Sequence, residues 1–371
     1  MNEKIASLRQ ELDQLDRELL EKVAERMRIV GSIGAEKARS GTALFDRGRE
    51  KKVRDASLAN AVALGVDVEV ADQLMSLLLG ASHSTQAKVV SIAKAPKNIL
   101  IVGGDGGMGR LFTALLRGRG HMVDSYDLED NRALKEVVVV ADVVIVSVPM
   151  SVAVSVIKEL SPYMRSDSLL CDINSLKGEV CEALAEAGEF QAIGLHPMFG
   201  PSVSSMRRQR VVVCPVRDGE LGDWLREELG ELGAELVETD PVTHDKMMSV
   251  VQVLVHFNTV VMGEALRLSG VGVRESLAFT SPIYRLEMAF VGRLFTQDPA
   301  LYAQILIQNP RGAEMRDNFL SSASRVSEIL DMADEEAFVE LFRQTAEWFE
   351  EFGTEAMALS DTVIDGIVSR A

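Results

Sequence analysis

Three cysteines in 371 residues, Cys171, Cys181 and Cys214, leave no close pair, which excludes a disulfide framework and a zinc knuckle. No metal site is expected. No apolar run approaches the roughly 18–20 residues a membrane helix needs, and the N-terminus is charged throughout, so no membrane partner is expected. Positive charge is short as well: 39 Lys and Arg stand against 56 Asp and Glu, a net charge of −17. Phosphate binding over a long surface needs cations, so no nucleic-acid partner is expected either. Internal repeats and low-complexity tracts are lacking too. What remains is 47% hydrophobic and 26% charged, a globular composition expected to be soluble and cytoplasmic. The length suits two or three domains.

The charge is uneven. Residues 1–54 carry 13 basic and 10 acidic side chains, a balance of +3, and the remainder carries −20. In the first segment Ile5, Leu8, Leu12, Leu15, Leu19 and Val23 recur at spacings of three and four, and Met27, Val30 and Ile33 continue the stripe. The spacing predicts one helix from about Lys4 to Arg39, with Gly41 as a stop signal. A helix of about 36 residues spans roughly 54 Å, too long for a small domain to cover alone. Its apolar stripe therefore calls for a partner, most simply a second copy of the chain. Further helical patterns cover Arg47–Leu64 and Val70–Lys88.

Pro96 interrupts the helical pattern, and beyond it short β-rich runs begin. Ile99–Val102, Met122–Tyr126, Val143–Val148, Leu169–Ile173, Ala192–Leu195 and Val211–Pro215 alternate with helical stretches such as Met108–Arg119, Val152–Leu160 and Lys177–Glu186. That alternation predicts a doubly wound, mostly parallel sheet. From Pro241 onward helical patterns return. The expected organisation is multidomain: an all-α domain over residues 1–91, a linker at 92–97, an α/β Rossmann-type dinucleotide-binding domain over 98–241, and an all-α domain over 242–371.

Gly104-Asp105-Gly106-Gly107-Met108-Gly109 is a GxGxxG sequence leaving one predicted strand and opening a helix. The first glycine permits the tight turn, the second lets backbone approach a pyrophosphate, and the third allows close helix–sheet packing. The helix N-terminus supplies N–H donors to the anion. Asp127 ends the next strand, 18 residues after Gly109, where an acidic side chain binds ribose hydroxyls; it reads otherwise as a solvated strand-end Asp. A carboxylate there repels a 2′-phosphate, and the following Leu128-Glu129-Asp130-Asn131 offers no Arg, which favours NAD over NADP. Asp105 weakens phosphate binding unless it points away. Ser147 and Pro149 end a strand beside the expected cofactor groove, or form an ordinary strand exit.

His196-Pro197-Met198-Phe199-Gly200-Pro201, following a strand in such a fold, resembles prephenate dehydrogenase, as does the later run Ser281-Pro282-Ile283-Tyr284-Arg285-Leu286 through Arg293-Leu294-Phe295. The N-terminal helices resemble the all-helical chorismate mutases. Chain order and length together are similar to the bifunctional chorismate mutase/prephenate dehydrogenases of tyrosine biosynthesis, over essentially the whole sequence.

For the mutase half the resemblance implies Arg9, Arg26 and Arg49 as carboxylate ligands of chorismate, with Lys37 and Gln86 as donors to the ether oxygen. Glu50 would meet the substrate hydroxyl and Ser82 would complete the pocket. The rearrangement is pericyclic and needs no nucleophile, only a compact conformer held between cations and donors at the oxygen gaining charge. Helix geometry bears on this set independently. Arg26 and Lys37 return to within about 20° of one face, roughly 16 Å apart, whereas Arg9 lies about 26 Å from Arg26 on another face. Either Arg9 plays no part or it comes from a second chain, as in an interlocked homodimer.

For the dehydrogenase half the resemblance implies that His196 hydrogen-bonds the 4-hydroxyl of prephenate and accepts its proton, a role suited to neutral imidazole. Ser175 would orient it, and Lys177 would assist substrate or cofactor binding. Arg293 would grip the ring carboxylate, since a guanidinium engages a carboxylate in bidentate fashion. Arg285, two turns earlier, reads equally as a substrate ligand or a structural ion pair. His256 reads from the residues as a core histidine and from the resemblance as near the substrate or a tyrosine effector; Tyr302 is left open in the same way. His244 is expected to cap or brace a helix, and His83 and His121 to lie in solvent or loops. An arogenate or hydroxy-acid dehydrogenase whose helical module only dimerises remains the alternative, and a degenerate NAD sensor a more distant one.

Overall fold

The computed structural model describes residues 3–40, 47–88, 95–203, 205–350 and 352–368. The expected stop at Gly41 and linker residues 92–94 lie outside them. The three- and four-residue spacing yields α1 (Glu3–Ser40) as one uninterrupted helix, followed by α2 (Arg47–Leu64) and α3 (Val68–Lys88). Helix α3 packs against both α1 and α2. The N-terminal stripe of α1 stays uncovered: Ile5, Leu8, Leu12, Leu15 and Leu19 are 46–61% exposed.

Seven strands and five helices follow in alternation. They are β1 (Asn98–Val102), α4 (Gly107–Gly118), β2 (Met122–Tyr126), α5 (Leu134–Val138), β3 (Val143–Val146), α6 (Met150–Leu160) and β4 (Leu169–Asp172), then α7 (Gly178–Glu186), β5 (Gln191–Pro197), β6 (Arg210–Arg217), α8 (Glu220–Glu231) and β7 (Glu235–Glu238). The sheet order is β2-β1-β3-β4-β5-β6-β7, parallel except where β6 runs antiparallel to β5. Alternation of side chains splits the core in two. Ile99, Ile101, Val143 and Ile145 meet α4 and α8 on one face through Phe112, Leu116, Leu225 and Leu229. Leu100, Val102, Val144 and Val146 meet α6 and α7 on the other through Ile157, Leu160 and Leu184. The order reverses at β1, with β2 and β3 on its two sides, which is where a doubly wound sheet opens a crevice for ligands.

The remainder is helical: α9 (Pro241–Met248), α10 (Val255–Ser269), α11 (Val273–Leu277), α12 (Pro282–Phe295), α13 (Pro299–Gln308), α14 (Gly312–Asp331), α15 (Glu335–Phe349) and α16 (Phe352–Val368). A π-helical turn at Ser249–Leu254 joins α9 to α10. By length and composition alone, the continuous helical run Pro241–Ser269 is apolar enough to cross a membrane. Interspersed polar residues such as Asp245 and His256 hide that property from a search for unbroken apolar runs. The π turn packs against α13 and α14, and α10 against α12.

Contacts divide the chain into two units, one of residues 1–148, 152–174 and 180–239, the other of 149–151, 175–179 and 240–371. The main boundary falls two residues before the expected one at 241/242. Two short segments that the strand–helix alternation assigns to the sheet domain, 149–151 and 175–179, group with the C-terminal helices.

Candidate active sites

The glycine loop is built by close approach. Gly103, one residue before the GxGxxG sequence, has φ +83°, and a Cβ there would collide with the carbonyl oxygen of Ser147. A Cβ on Gly109 would strike the carbonyl oxygen of Gly103, the tight helix–strand packing expected of the third glycine. Ser147 takes part through its backbone, its N–H donating to the Val102 carbonyl at 2.7 Å. Gly106 caps α4 without a side-chain hydrogen bond, leaving first-turn N–H groups for an anion. Met108 packs half-buried on the core beneath.

Asp127 Oδ2 accepts the Asp105 N–H at 2.9 Å, so the carboxylate at the end of β2 is tied to the glycine loop. The Asp105 side chain itself is exposed. Downstream, Arg132 is held by Asp124, Asp130 and the Ser125 carbonyl, and its guanidinium brings the Asp130 carboxyl down to about 2. The cation nearest in sequence to Asp127 is thus already paired. The loop and α4 fit a dinucleotide pyrophosphate, because every feature that admits backbone close to an anion is present.

His196 lies on β5 opposite Val212 and is 2% exposed. The loop after it turns back on the glycine motif through Pro201, whose ring carbons meet the position of a Cβ on Gly107. In the second unit, the segment carrying Ser175 and Lys177 is anchored on α9. Asp245 Oδ1 accepts the Lys177 N–H and Oδ2 the Gly178 N–H, both at 2.9 Å. His244 Nδ1 lies 2.7 Å from Asp245 Oδ1, and Asn309 Nδ2 donates to the Asp245 carbonyl at 3.0 Å. Burial alone would raise the Asp245 carboxyl; the donors from His244, Lys177 and Gly178 outweigh it and hold it below its usual range. The brace expected at His244 is therefore a buried ion-dipole cluster. Ser175 is half-buried and the Lys177 side chain fully buried.

A cavity of about 320 Å³ in the same unit is lined by Arg293, His256, Tyr302, Asn258, Glu287 and Gln297 among others. His256 and Tyr302 meet edge-on with ring centroids 4.9 Å apart. Burial holds the His256 imidazole below its ordinary value, so it is neutral near pH 7. Burial pushes the Tyr302 hydroxyl up, against the pull of the Arg293 charge. Arg285 is exposed and is not among the lining residues.

In the helical region Arg26 Nη1 donates to Ser82 Oγ and to the Leu78 carbonyl at 3.0 Å, joining α1 to α3. Glu50 on α2 meets His83 Nε2 at 2.7 Å and Arg207 Nη2 at 3.2 Å. Burial and the nearby Arg207 charge hold His83 below the ordinary imidazole range despite Glu50. Lys37 and Gln86 are half-buried on α1 and α3; Arg9 and Arg49 are exposed. The solvent expectation for His83 and His121 is corrected. His83 is buried on Glu50, and His121 is buried 3.1 Å from Glu228, its Nδ1 accepting the Lys97 N–H at 3.2 Å.

Gly103, Arg207 and Asp245 carry no expectation from the sequence, and His83 is placed there in solvent or a loop. The signals were present as a glycine before the motif, a histidine beside Ser82, an Arg-Arg pair in an acidic region, and a carboxylate inside an apolar helix.

Three family models match the chain: chorismate mutase type II over residues 8–87, the nucleotide-binding domain of prephenate dehydrogenase over 120–238, and the prephenate dehydrogenase dimerization domain over 240–344. A T-protein of Haemophilus influenzae is 32% identical over 352 residues, covering 94% of this chain and 93% of that relative. A T-protein of Enterobacter agglomerans is 33% identical over 347 residues, covering 93% of each. Among solved structures, the Aquifex aeolicus prephenate dehydrogenase in complex with hydroxyphenyl propionate and NAD+ superposes with a TM-score of 0.57 at 21% identity, covering 70% of this chain and 99% of that one. That last likeness is one of fold.

Proposed function

This chain belongs to the T-protein family of bifunctional chorismate mutase/prephenate dehydrogenases of tyrosine biosynthesis, and from that premise we propose how its residues divide the work. The enzyme rearranges chorismate to prephenate and oxidatively decarboxylates prephenate to 4-hydroxyphenylpyruvate. In the first reaction Arg26 and Arg49 bind the carboxylates, Lys37 and Gln86 donate to the ether oxygen, Glu50 receives the hydroxyl and Ser82 positions Arg26. The Arg26–Ser82 bond supports that pairing. The unbroken α1, which sets Arg9 about 26 Å along the axis from Arg26, supports a reading in which Arg9 serves a site shared with a second copy of the chain. The exposed stripe of α1 and the match to a dimerization domain support the homodimer.

In the second reaction Gly104–Gly109 and the N-terminus of α4 would hold the pyrophosphate of NAD+, Asp127 its ribose hydroxyls, and Ser147 and Pro149 would line the groove beside them; NAD+, when bound, would supply the hydride acceptor. His196 takes the hydroxyl proton as the C4 hydrogen leaves with its electron pair. The electrons of the breaking C–CO2 bond complete the aromatic ring, and the phenol oxygen recovers a proton. Ser175 orients His196, and Lys177 supports the substrate side. Arg293 holds the ring carboxylate, with His256 and Tyr302 shaping the same cavity and Arg285 outside it. Tyrosine, which shares the product's phenol and a carboxylate, competes for that cavity as feedback effector.

The observation that carries this reading is likeness to two T-proteins across both halves of the chain. Purified protein given chorismate and NAD+ alone should release CO2 and NADH; with NAD+ omitted, chorismate should still disappear and prephenate accumulate. Absence of NADH from either substrate overturns the dehydrogenase assignment. Chorismate left untouched without NAD+ leaves a dehydrogenase with a purely structural helical module.

A further inference from the structure

Glu50 is held from two sides. His83, from α3, takes Oε1 at 2.7 Å, and Arg207, from the loop entering β6, spans both oxygens at 3.5 and 3.2 Å. Arg208 adds its charge at 3.9 Å. A carboxylate has about four lone-pair positions, so among the described residues these contacts fix its plane and leave an acceptor position for a substrate hydroxyl. The Arg207–Arg208 turn is itself clamped. Arg208 occupies the left-handed region with φ 57°, its N–H donates to the Gly233 carbonyl at 2.8 Å, and a Cβ on Gly233 would lie 3.0 Å from Arg207 Cα. A non-glycine residue persists there only where its surroundings over-determine it, and such positions gather at functional sites. Beside the turn a cavity of about 310 Å³, lined by Glu50, Arg207, Arg208 and Glu235, keeps the pair open to solvent instead of sealing it in apolar packing.

We propose that Arg207, carried by the dinucleotide-binding domain, is a positioning residue for the mutase reaction: with His83 it orients the Glu50 carboxylate toward the hydroxyl of chorismate. This rests on the reading of Glu50 as the hydroxyl ligand. The mutase site then borrows a cation from the domain that carries out the second reaction, and correct folding of the sheet domain is a condition of the first. Arg207 touches neither substrate nor cofactor; it acts through Glu50.

The test uses the full-length chain, with mutase followed as chorismate loss without NAD+ and dehydrogenase as NADH formed from prephenate. Arg207→Ala should slow the mutase about 10- to 100-fold, the loss expected when a catalytic group is displaced by around an ångström, while the prephenate-dependent rate holds. Arg207→Lys should restore most of the loss. Adding Arg207→Ala to Glu50→Gln should cost nothing beyond Glu50→Gln alone, since the two act as one unit. A slow Glu50→Gln enzyme beside an Arg207→Ala enzyme of wild-type mutase rate overturns the inference and leaves the Glu50 reading standing. Equal loss of both activities in Arg207→Ala, without rescue by Lys, marks a folding defect and also overturns it. A Glu50→Gln enzyme of full mutase rate instead overturns the reading beneath it.

Discussion

Pro201 stands where a side chain on Gly107 would have to go: a Cβ there would lie 2.9 Å from Pro201 Cγ. The cofactor loop and the loop following His196 therefore share a boundary that neither can move alone. Proline ring carbons yield little, and overpacking of this kind costs about 1–3 kcal/mol. Gly107→Ala should raise the KM for NAD+ about tenfold or more and lower the prephenate-dependent rate, with chorismate consumption unchanged when NAD+ is left out. Initial-rate kinetics in NAD+ check this, and a normal KM would disprove it.

Asp245 offers two carboxylate oxygens to two amide donors, those of Lys177 and Gly178. Asparagine presents an NH2 group to one of them, and an unsatisfied buried pair costs about 1–3 kcal/mol. Asp245→Asn should lower the melting temperature and, by loosening the segment that bears Ser175 and Lys177, reduce dehydrogenase kcat about 10- to 100-fold. Unchanged kcat in a folded variant would separate this cluster from catalysis.

Acid should loosen the sheet domain through Glu228. Buried beside Arg119 and His121, its carboxyl is pushed up by burial but brought below its ordinary value by its pairing with His121 and Arg119. A carboxyl more acidic when folded than unfolded stabilises above its unfolded pKa, and that stability is lost as pH falls through the folded value. The melting temperature should therefore drop on acidification below about pH 4.5. Glu228→Gln should flatten that dependence while costing about 3–5 kcal/mol at neutral pH, as expected when a buried pair loses one partner.

Several elements were legible to the residue. Arg47–Leu64 and Met122–Tyr126 coincide with α2 and β2, because their periodicities end at clear breaks. Strand β7 was missed because Glu-Leu-Val-Glu is a half-exposed edge without an apolar run. Helix α8 repeats Leu221, Leu225 and Leu229 on one face, yet glycines at 222 and 230 mask it. The direction of β6 has no local signature at all. Local geometry set by a motif, such as the close approaches of the glycine loop, was legible in the sequence. Placement set by a distant carboxylate was not: His83 depends on Glu50, and His121 on Glu228, so their burial is a property of the assembled fold.

Arg293 faces the cavity that holds His256 and Tyr302. Loss of a charge-assisted bond is worth about 1.5–3 kcal/mol, so Arg293→Ala should raise the KM for prephenate by roughly 10- to 100-fold. Arg293→Lys should recover part of it, lysine lacking the planar fork. Inhibition by tyrosine should weaken in the same variants if both ligands use the cavity; unaltered inhibition would place the effector elsewhere.

A shared mutase site has a statistical signature. Arg9→Ala and Arg26→Ala chains, each inactive as mutase, should regain activity when unfolded and refolded together, because the mixed dimer contains one site with both arginines intact. Random pairing predicts recovery to about one quarter of wild-type activity. No recovery would argue for a site built within one chain.

Among the described residues, the apolar side chains buried in α1, α2 and α3 are Val30, Ala61 and Ala71. These are small contributions against the chain entropy of three helices, and cover from a second copy of the chain would add to the order of this region. Were a second copy to supply that cover, the competence of the region would be governed by mass action. Diluted below the dissociation constant of its pairing, the enzyme should lose chorismate turnover per chain in proportion to its concentration. In that arrangement the rate of the first reaction would report the amount of enzyme as well as the amount of substrate.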